Sequence, residues 1–192
     1  ESLWARMASI YATNAAGFYF LPEVGDEVIL GFVDDNPSHP VILGSLYSSK
    51  HAAAFAIEAK NNTKAITTRS KMEINFDEDK KIIKIFTPGG NSITLDDQDK
   101  GIIIKDQNNN TLKMNSSGIE MESPKNIILK ATGNITLEAT GKIALNSKQD
   151  VAVEGLNITN TAKVGFTAKG NASAEISASG QTVVKGAIVM IN

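Results

Sequence analysis

The sequence predicts an all-β chain: a small barrel or sandwich, a neck of short strands, and an intertwined triple-stranded β-helix forming a trimeric needle. Three observations predict it. The first 47 residues hold short apolar runs broken by Gly and Pro, residues 71–123 hold apolar pairs separated by turn residues, and residues 124–192 repeat every eight residues.

The octads are the strongest signal. Ile127, Ile135, Ile143 and Val151 are spaced by eight, as are Leu129, Leu137, Leu145 and Val153, and Ala131, Ala139, Ser147 and Gly155 follow two places on. Eight is even and strand side chains alternate with period two, so in strands all of these face one way. Lys130, Asn134, Thr136, Glu138, Lys142 and Asn146 face the other. At Gly155 the parity changes: rows Leu156, Val164, Ala172, Ile188 and Ile158, Phe166, Ala174, Met190 sit on even numbers. A one-residue slip within a strand would turn the core face outward, so the dropped residue belongs in a turn near Gly155. One chain winding alone through three strands per rung would complete fewer than three rungs of a prism, below the roughly three repeats a stack needs. Three chains wound together supply the missing strands and leave few free edges, which predicts a needle roughly 40 Å long. The trimer core is expected at Ile127, Leu129, Ile135, Leu137, Ile143, Leu145, Val151, Val153, Ile158, Val164 and Phe166.

In the first block (1–47) the strand signals are LWARMASIYA, GFYFLP, DEVILGFV and PVILGSLY, punctuated by Gly17, Pro22, Gly25, the NPSHP turn and Gly44. Residues 48–70 read as a linker in which HAAAFAIEA could form about two helical turns, a length that is marginal without packing. From 71 to 123 the pairs Met72/Ile74, Ile83/Ile85, Ile93/Leu95, Ile102/Ile104, Leu112/Met114 and Ile119/Met121 recur between DEDK, PGG, DDQDKG, DQNNN and NSSG. These separators are turn compositions, and the pattern predicts a neck that narrows into the needle.

Charge and composition exclude several classes. Nineteen basic and twenty-one acidic residues leave a net charge of -2, with no basic stripe for nucleic acid. There is no cysteine, hence no thiolate ligand, cysteine nucleophile or disulfide. No apolar run approaches the roughly 20 residues that span a bilayer. The chain opens at Glu1 on residues that already read as strand, so it is expected to be cut from a longer protein. His39 and His51 stand in no metal-binding spacing, and no Ser sits in a nucleophile elbow. Asp77, Glu78, Asp79 and Asp96, Asp97, Asp99 fall between strands, where Asp serves local hydrogen bonding. The expectation is a non-enzyme without cofactor or metal.

The block FLPEVGDEVILGF followed by DDNPSHPVILGSLY, with Pro22, Gly25, Asp26, Glu27, Val28, Gly44, Ser45 and Tyr47 at its turns and strands, resembles the oligonucleotide/oligosaccharide-binding (OB) type barrel domain of VgrG proteins. These are the spikes of type VI secretion and related contractile injection systems, similar to phage tail-spike hub proteins. The order of barrel, linker, neck and β-helix extends the resemblance over essentially the whole chain. It implies a homotrimeric structural spike that pierces target envelopes, engages membranes only mechanically, and partners tail-tube and hub components, effectors and a conical PAAR-repeat cap. It also implies assembly in the bacterial cytoplasm and then secretion or delivery into the target envelope. The cap would dock on the blunt end, where both faces turn apolar: Val183, Val184, Ala187, Ile188, Val189, Met190 and Ile191. The competing reading is a trimeric tail fibre or adhesin that binds a receptor or glycan; the outward Lys, Thr, Asn, Ser and Glu of the needle offer no aromatic platform for a sugar.

Overall fold

The computed structural model describes residues 3–191 in two units, residues 1–132 and 133–192, and apart from one 3-10 turn at Val33–Asp35 its regular elements are all β-strands, lying between Arg6 and Glu122. In the first block, β1 (Arg6–Met7) runs parallel to β5 (Pro40–Leu46), which pairs antiparallel with β4 (Glu27–Phe32). A small hairpin joins β2 (Ala12–Thr13) and β3 (Ala16–Gly17). The register slips between Ile29 and Leu30, leaving Leu43 without an opposite residue, the two-against-one geometry of a β-bulge that bends a barrel strand. Of the four sequence signals, DEVILGFV and PVILGSLY become full strands. GFYFLP does not: only Gly17 joins a strand, while Phe18 and Phe20 stack with ring centroids 4.8 Å apart.

The helix expected over HAAAFAIEA does not form. The segment is irregular, and at its start the chain turns back on itself, Ser48 N–H donating to the His51 carbonyl at 2.9 Å and His51 N–H to Ser48 Oγ at 3.2 Å. Nine residues are too few to nucleate a helix against a competing turn. The neck also starts earlier than expected, because β6 (Thr63–Thr67) lies inside the stretch read as linker.

From β6 the chain forms one seven-stranded antiparallel meander: β7 (Glu73–Asp77), β8 (Ile82–Phe86), β9 (Ser92–Asp96), β10 (Gly101–Lys105), β11 (Thr111–Asn115) and β12 (Gly118–Glu122). Every strand pairs with its sequence neighbour, a pairing the sequence alone left open. The turns explain the order. Along one edge, Thr68, Thr87 and Asp106 open five-residue turns closed by Met72, Asn91 and Asn110, with the same pair of backbone bonds in each. Lys71, Gly90 and Asn109 take the positive φ in those turns, at 66°, 97° and 66°, so the hairpin unit repeats every nineteen residues (71, 90, 109). On the opposite edge Asp77, Asp96 and Asn115 hold the same register: their Oδ1 atoms accept N–H bonds from Asp79 (3.1 Å), Asp99 (2.8 Å) and Ser117 (2.8 Å). The acidic clusters therefore act as turn residues.

Beyond Glu122 no strand forms within the chain, and no backbone bond joins one octad to another among the described residues. The chain nevertheless bends on an eight-residue beat, at 124–125, 132–133, 140–141 and 148–149, then at 156, and again at 163–164, 171–172, 179–180 and 187–188. The beat is one residue short at Leu156, beside the Gly155 where the sequence parity changes.

Candidate assembly surface

The meander sorts its side chains by face. One cross-strand row runs Ile66, Ile74, Ile85, Ile93, Ile104, Leu112 and Met121; a second runs Lys64, Phe76, Ile83, Leu95, Ile102, Met114 and Ile119. The two rows lie two residues apart on each strand and so share a face. All but Lys64 are apolar. The next row, Ala65, Asn75, Lys84, Thr94, Ile103, Lys113 and Glu120, lies on the opposite face and is largely polar. Lys84 Nζ sits 5.1 Å from the Phe86 ring centroid on that side.

The apolar face has no cover in the chain. Ile83, Ile85, Ile93, Leu95 and Ile104 keep 37–41% of their surface in water, where a one-sided sheet face would normally be buried. Ile85, Ile93, Ile104, Leu112, Met121 and Ile127 line an open groove of ≈ 710 Å³. No hydrophobic residue among those described is buried. The total accessible surface is 18199 Å², about twice the roughly 8,900 Å² a compact 20.5 kDa monomer would show. An apolar face that runs across seven strands without cover is the mark of a surface made for association.

The octad residues follow a repeating environment. Counting from each bend, Ile127, Ile135, Ile143 and Ile158 stand in the same place and are 52–53% exposed, while Leu129, Leu137, Leu145 and Val153 stand in the next and are 65–73% exposed. Val151 and Phe166 share the first row. Ile176 and Val184 continue the second, and Ile176 escaped the sequence reading because Asn160 and Ala168 interrupt that row. A third row stays small from Ala131 to Gly186. Val164 differs from the rest of the expected core: it lies on a bend and is 103% exposed. At the end of the chain Val183, Val184, Ile188, Val189, Met190 and Ile191 are all exposed, with Ala187 and Ile188 at the last bend.

Titratable groups serve the turns. Asn110 Nδ2 donates to Asp106 Oδ2 at 2.7 Å, and Asn108 and Asn110 donate backbone N–H groups to Oδ1 at 2.8 and 2.9 Å. Led by the Asn110 side chain, these bonds hold the Asp106 carboxyl down at about 2, against an ordinary 3.8. Ser123 Oγ extends the network to Asn110 Oδ1 at 2.6 Å and accepts the Lys125 N–H at 3.2 Å. His51 Nδ1 lies 3.8 Å from Asp26 Oδ1. Lys64, the one charged member of the apolar rows, turns its ammonium to the Asn61 carbonyl. Among the described residues no three His, Asp or Glu gather where an ion could sit.

Comparison with known proteins agrees with this surface. Residues 1–47 match the type VI secretion system/phage-baseplate injector OB domain, and residues 82–132 match the phage baseplate V C-terminal trimerisation domain. The second match takes in five strands of the meander and runs past the first bend of the octads. The type VI secretion system spike protein VgrG4b of Pseudomonas aeruginosa is 33% identical over 66 residues, 34% of this chain and 8% of the relative. VgrG3 of Vibrio cholerae is 28% identical over 78 residues, 41% of this chain and 8% of the relative. The actin cross-linking toxin VgrG1 of Vibrio cholerae is 26% identical over 78 residues, 41% of this chain and 7% of the relative. The matched stretches thus span about a tenth or less of these larger proteins. With matches to an injector OB domain and to a trimerisation domain that here carries an uncovered apolar sheet face, and with spike proteins as its relatives, the chain is similar in these stretches to the VgrG-type spikes of type VI secretion systems.

Proposed function

We propose that three copies of this chain close into the shaft of a spike that a contractile injection system drives through a target envelope. The observation that carries the proposal is the apolar face of the seven-stranded meander, two aliphatic rows deep and without cover in its own chain. Three such faces turned inward would form a closed prism. Later in the sequence, the octads of the three chains would pair with one another, supplying the strand partners that a single chain lacks. The domains are then a barrel at 1–47, a connector, the prism from 63 to 122, and a needle from 124 onward.

The function of such an object is mechanical. Backbone bonds between chains resist unravelling because many must break together, so thrust at the barrel end reaches the tip. The residues that hold the needle closed are Ile127, Leu129, Ile135, Leu137, Ile143, Leu145, Val151, Val153, Ile158 and Phe166. The exposed aliphatic end at 183–191 is the seat of a PAAR-like cap, the barrels dock on hub and tube components, and effectors travel with the assembly. The chain itself performs no catalysis, is assembled in the bacterial cytoplasm, and leaves it in the injected spike.

The test is delivery. A type VI secretion system whose spike carries this region with Ile143→Asp should fail to release its tube and spike proteins into the medium, whereas Thr136→Asp should release them normally. Normal release by the Ile143→Asp spike would contradict the proposal.

A further inference from the structure

The aliphatic rows of the octads have a weakness as an instruction for assembly, which is that they repeat. Ile135 and Ile143 in one row, and Leu137 and Leu145 in the next, are interchangeable. Between Ile127 and Val153, sliding one chain past its neighbours by a whole octad would leave the aliphatic side chains inside. A less symmetric feature must choose among these registers.

Lys142 and Asp150 are eight residues apart, each directly follows a bend, and both are exposed. In the three-chain reading proposed above, on which this inference rests, a chain returns to a given face of the needle only at its third following octad. The two strands in between come from its neighbours. The strand beside one octad is therefore the next octad of another chain, and positions eight apart on different chains become ladder neighbours about 4.8 Å apart. We infer that Lys142 of one copy pairs with Asp150 of a second copy on the needle surface, and that this pair selects the octad register of the trimer.

The alternatives are less favourable. Chains stacked in phase would set Lys142 on Lys142 and Asp150 on Asp150, and like charges directly opposite destabilise a sheet whereas opposite charges stabilise it. Lys130 and Glu138 repeat the same sign order at the same spacing. A slip by one octad would place Lys130 against Asn146. In the symmetric trimer the favourable pair occurs three times, whereas the slip of one chain breaks the symmetry.

The chain has no cysteine, so an introduced pair reports without background. Lys142→Cys with Asp150→Cys places two sulfurs on neighbouring strands, within the Cα separation of roughly 4.4–6.8 Å that a disulfide requires. After mild oxidation, denaturing electrophoresis should show a covalent trimer. Asn134→Cys with Asp150→Cys, sixteen residues apart, should stay monomeric on the gel, because two strand spacings exceed that reach. Linking by the second pair instead of the first, or by neither in a particle whose native mass is three chains, would overturn the register. A native mass of one chain would instead contradict the three-chain reading beneath it. Charge exchange gives an independent check: Lys142→Asp should lower the melting temperature and Lys142→Asp with Asp150→Lys should recover it, while an unchanged melting temperature in Lys142→Asp would overturn the pairing.

Discussion

Asn110 Nδ2 donates a 2.7 Å hydrogen bond to Asp106 Oδ2 across the last five-residue turn of the meander, and Asn110 Oδ1 accepts Ser123 Oγ where the chain leaves the sheet. The carboxylate is thus built into the junction between sheet and octads. Its pKa is depressed, so its contribution to stability is complete above the ordinary value of 3.8 and is lost as pH falls through about 2. Asp106→Asn should therefore melt below the wild type at neutral pH by an amount that is constant down to about pH 4 and shrinks between pH 4 and 2. Thermal unfolding followed across that range checks it; a gap that widens as the pH drops would assign the bonds to the wrong protonation state.

Ile93 and Thr94 are adjacent but face opposite sides of the sheet. Ile93→Asp would gather three carboxylates where three apolar faces meet, at a cost of several kcal/mol per unpaired group. Thr94→Asp on the polar face should stay within about 0.5 kcal/mol of wild type. Size-exclusion chromatography with light scattering should find Ile93→Asp unassembled and Thr94→Asp assembled. Equal behaviour would contradict the placing of the Ile93 face at the interface between chains.

The short octad at Leu156 predicts an asymmetry in insertions. Adding one Gly between Gly155 and Leu156 restores the beat of eight at a bend and should leave the melting temperature within a few degrees of wild type. Adding the same Gly between Ala144 and Leu145 shifts the pleat and turns the following aliphatic residues outward, so it should lower the melting temperature much further. Comparable losses would place the missing residue elsewhere.

At the end of the chain, removing residues 187–192 should abolish binding of a PAAR-like cap while leaving the native mass unchanged. Retention of the cap by the truncated spike, or dissociation of its chains, would contradict a docking role for Val189, Met190 and Ile191.

Much of this was legible in the sequence because a strand with one apolar face writes its period directly into the residues. The pairs Ile83/Ile85 to Ile119/Met121 all lie on one face, and the parity change at Gly155 coincides with the single short interval between bends. What escaped was carried by weaker signals. β6 was hidden because Lys64 interrupts its alternation and only Ile66 contributes a large apolar residue. Phe76, not Met72, partners Ile74 on the apolar face, because Met72 closes the turn that precedes the strand. The pairing of neck strands was recoverable from the nineteen-residue recurrence of Thr68/Thr87, Asn91/Asn110 and Asp77/Asp96/Asn115, but turn residues vary in identity and the eye follows aliphatics. The helix at 51–59 was an error of propensity: alanine favours a helix, yet a segment that short is decided by its neighbours.

The central claim is that the uncovered apolar face exists to meet two more copies of itself, and the mass of the particle in solution tests it most directly. Native mass spectrometry across a hundredfold range of concentration should give three chains throughout, with folding and assembly lost together on heating. A folded, concentration-independent single chain would contradict it.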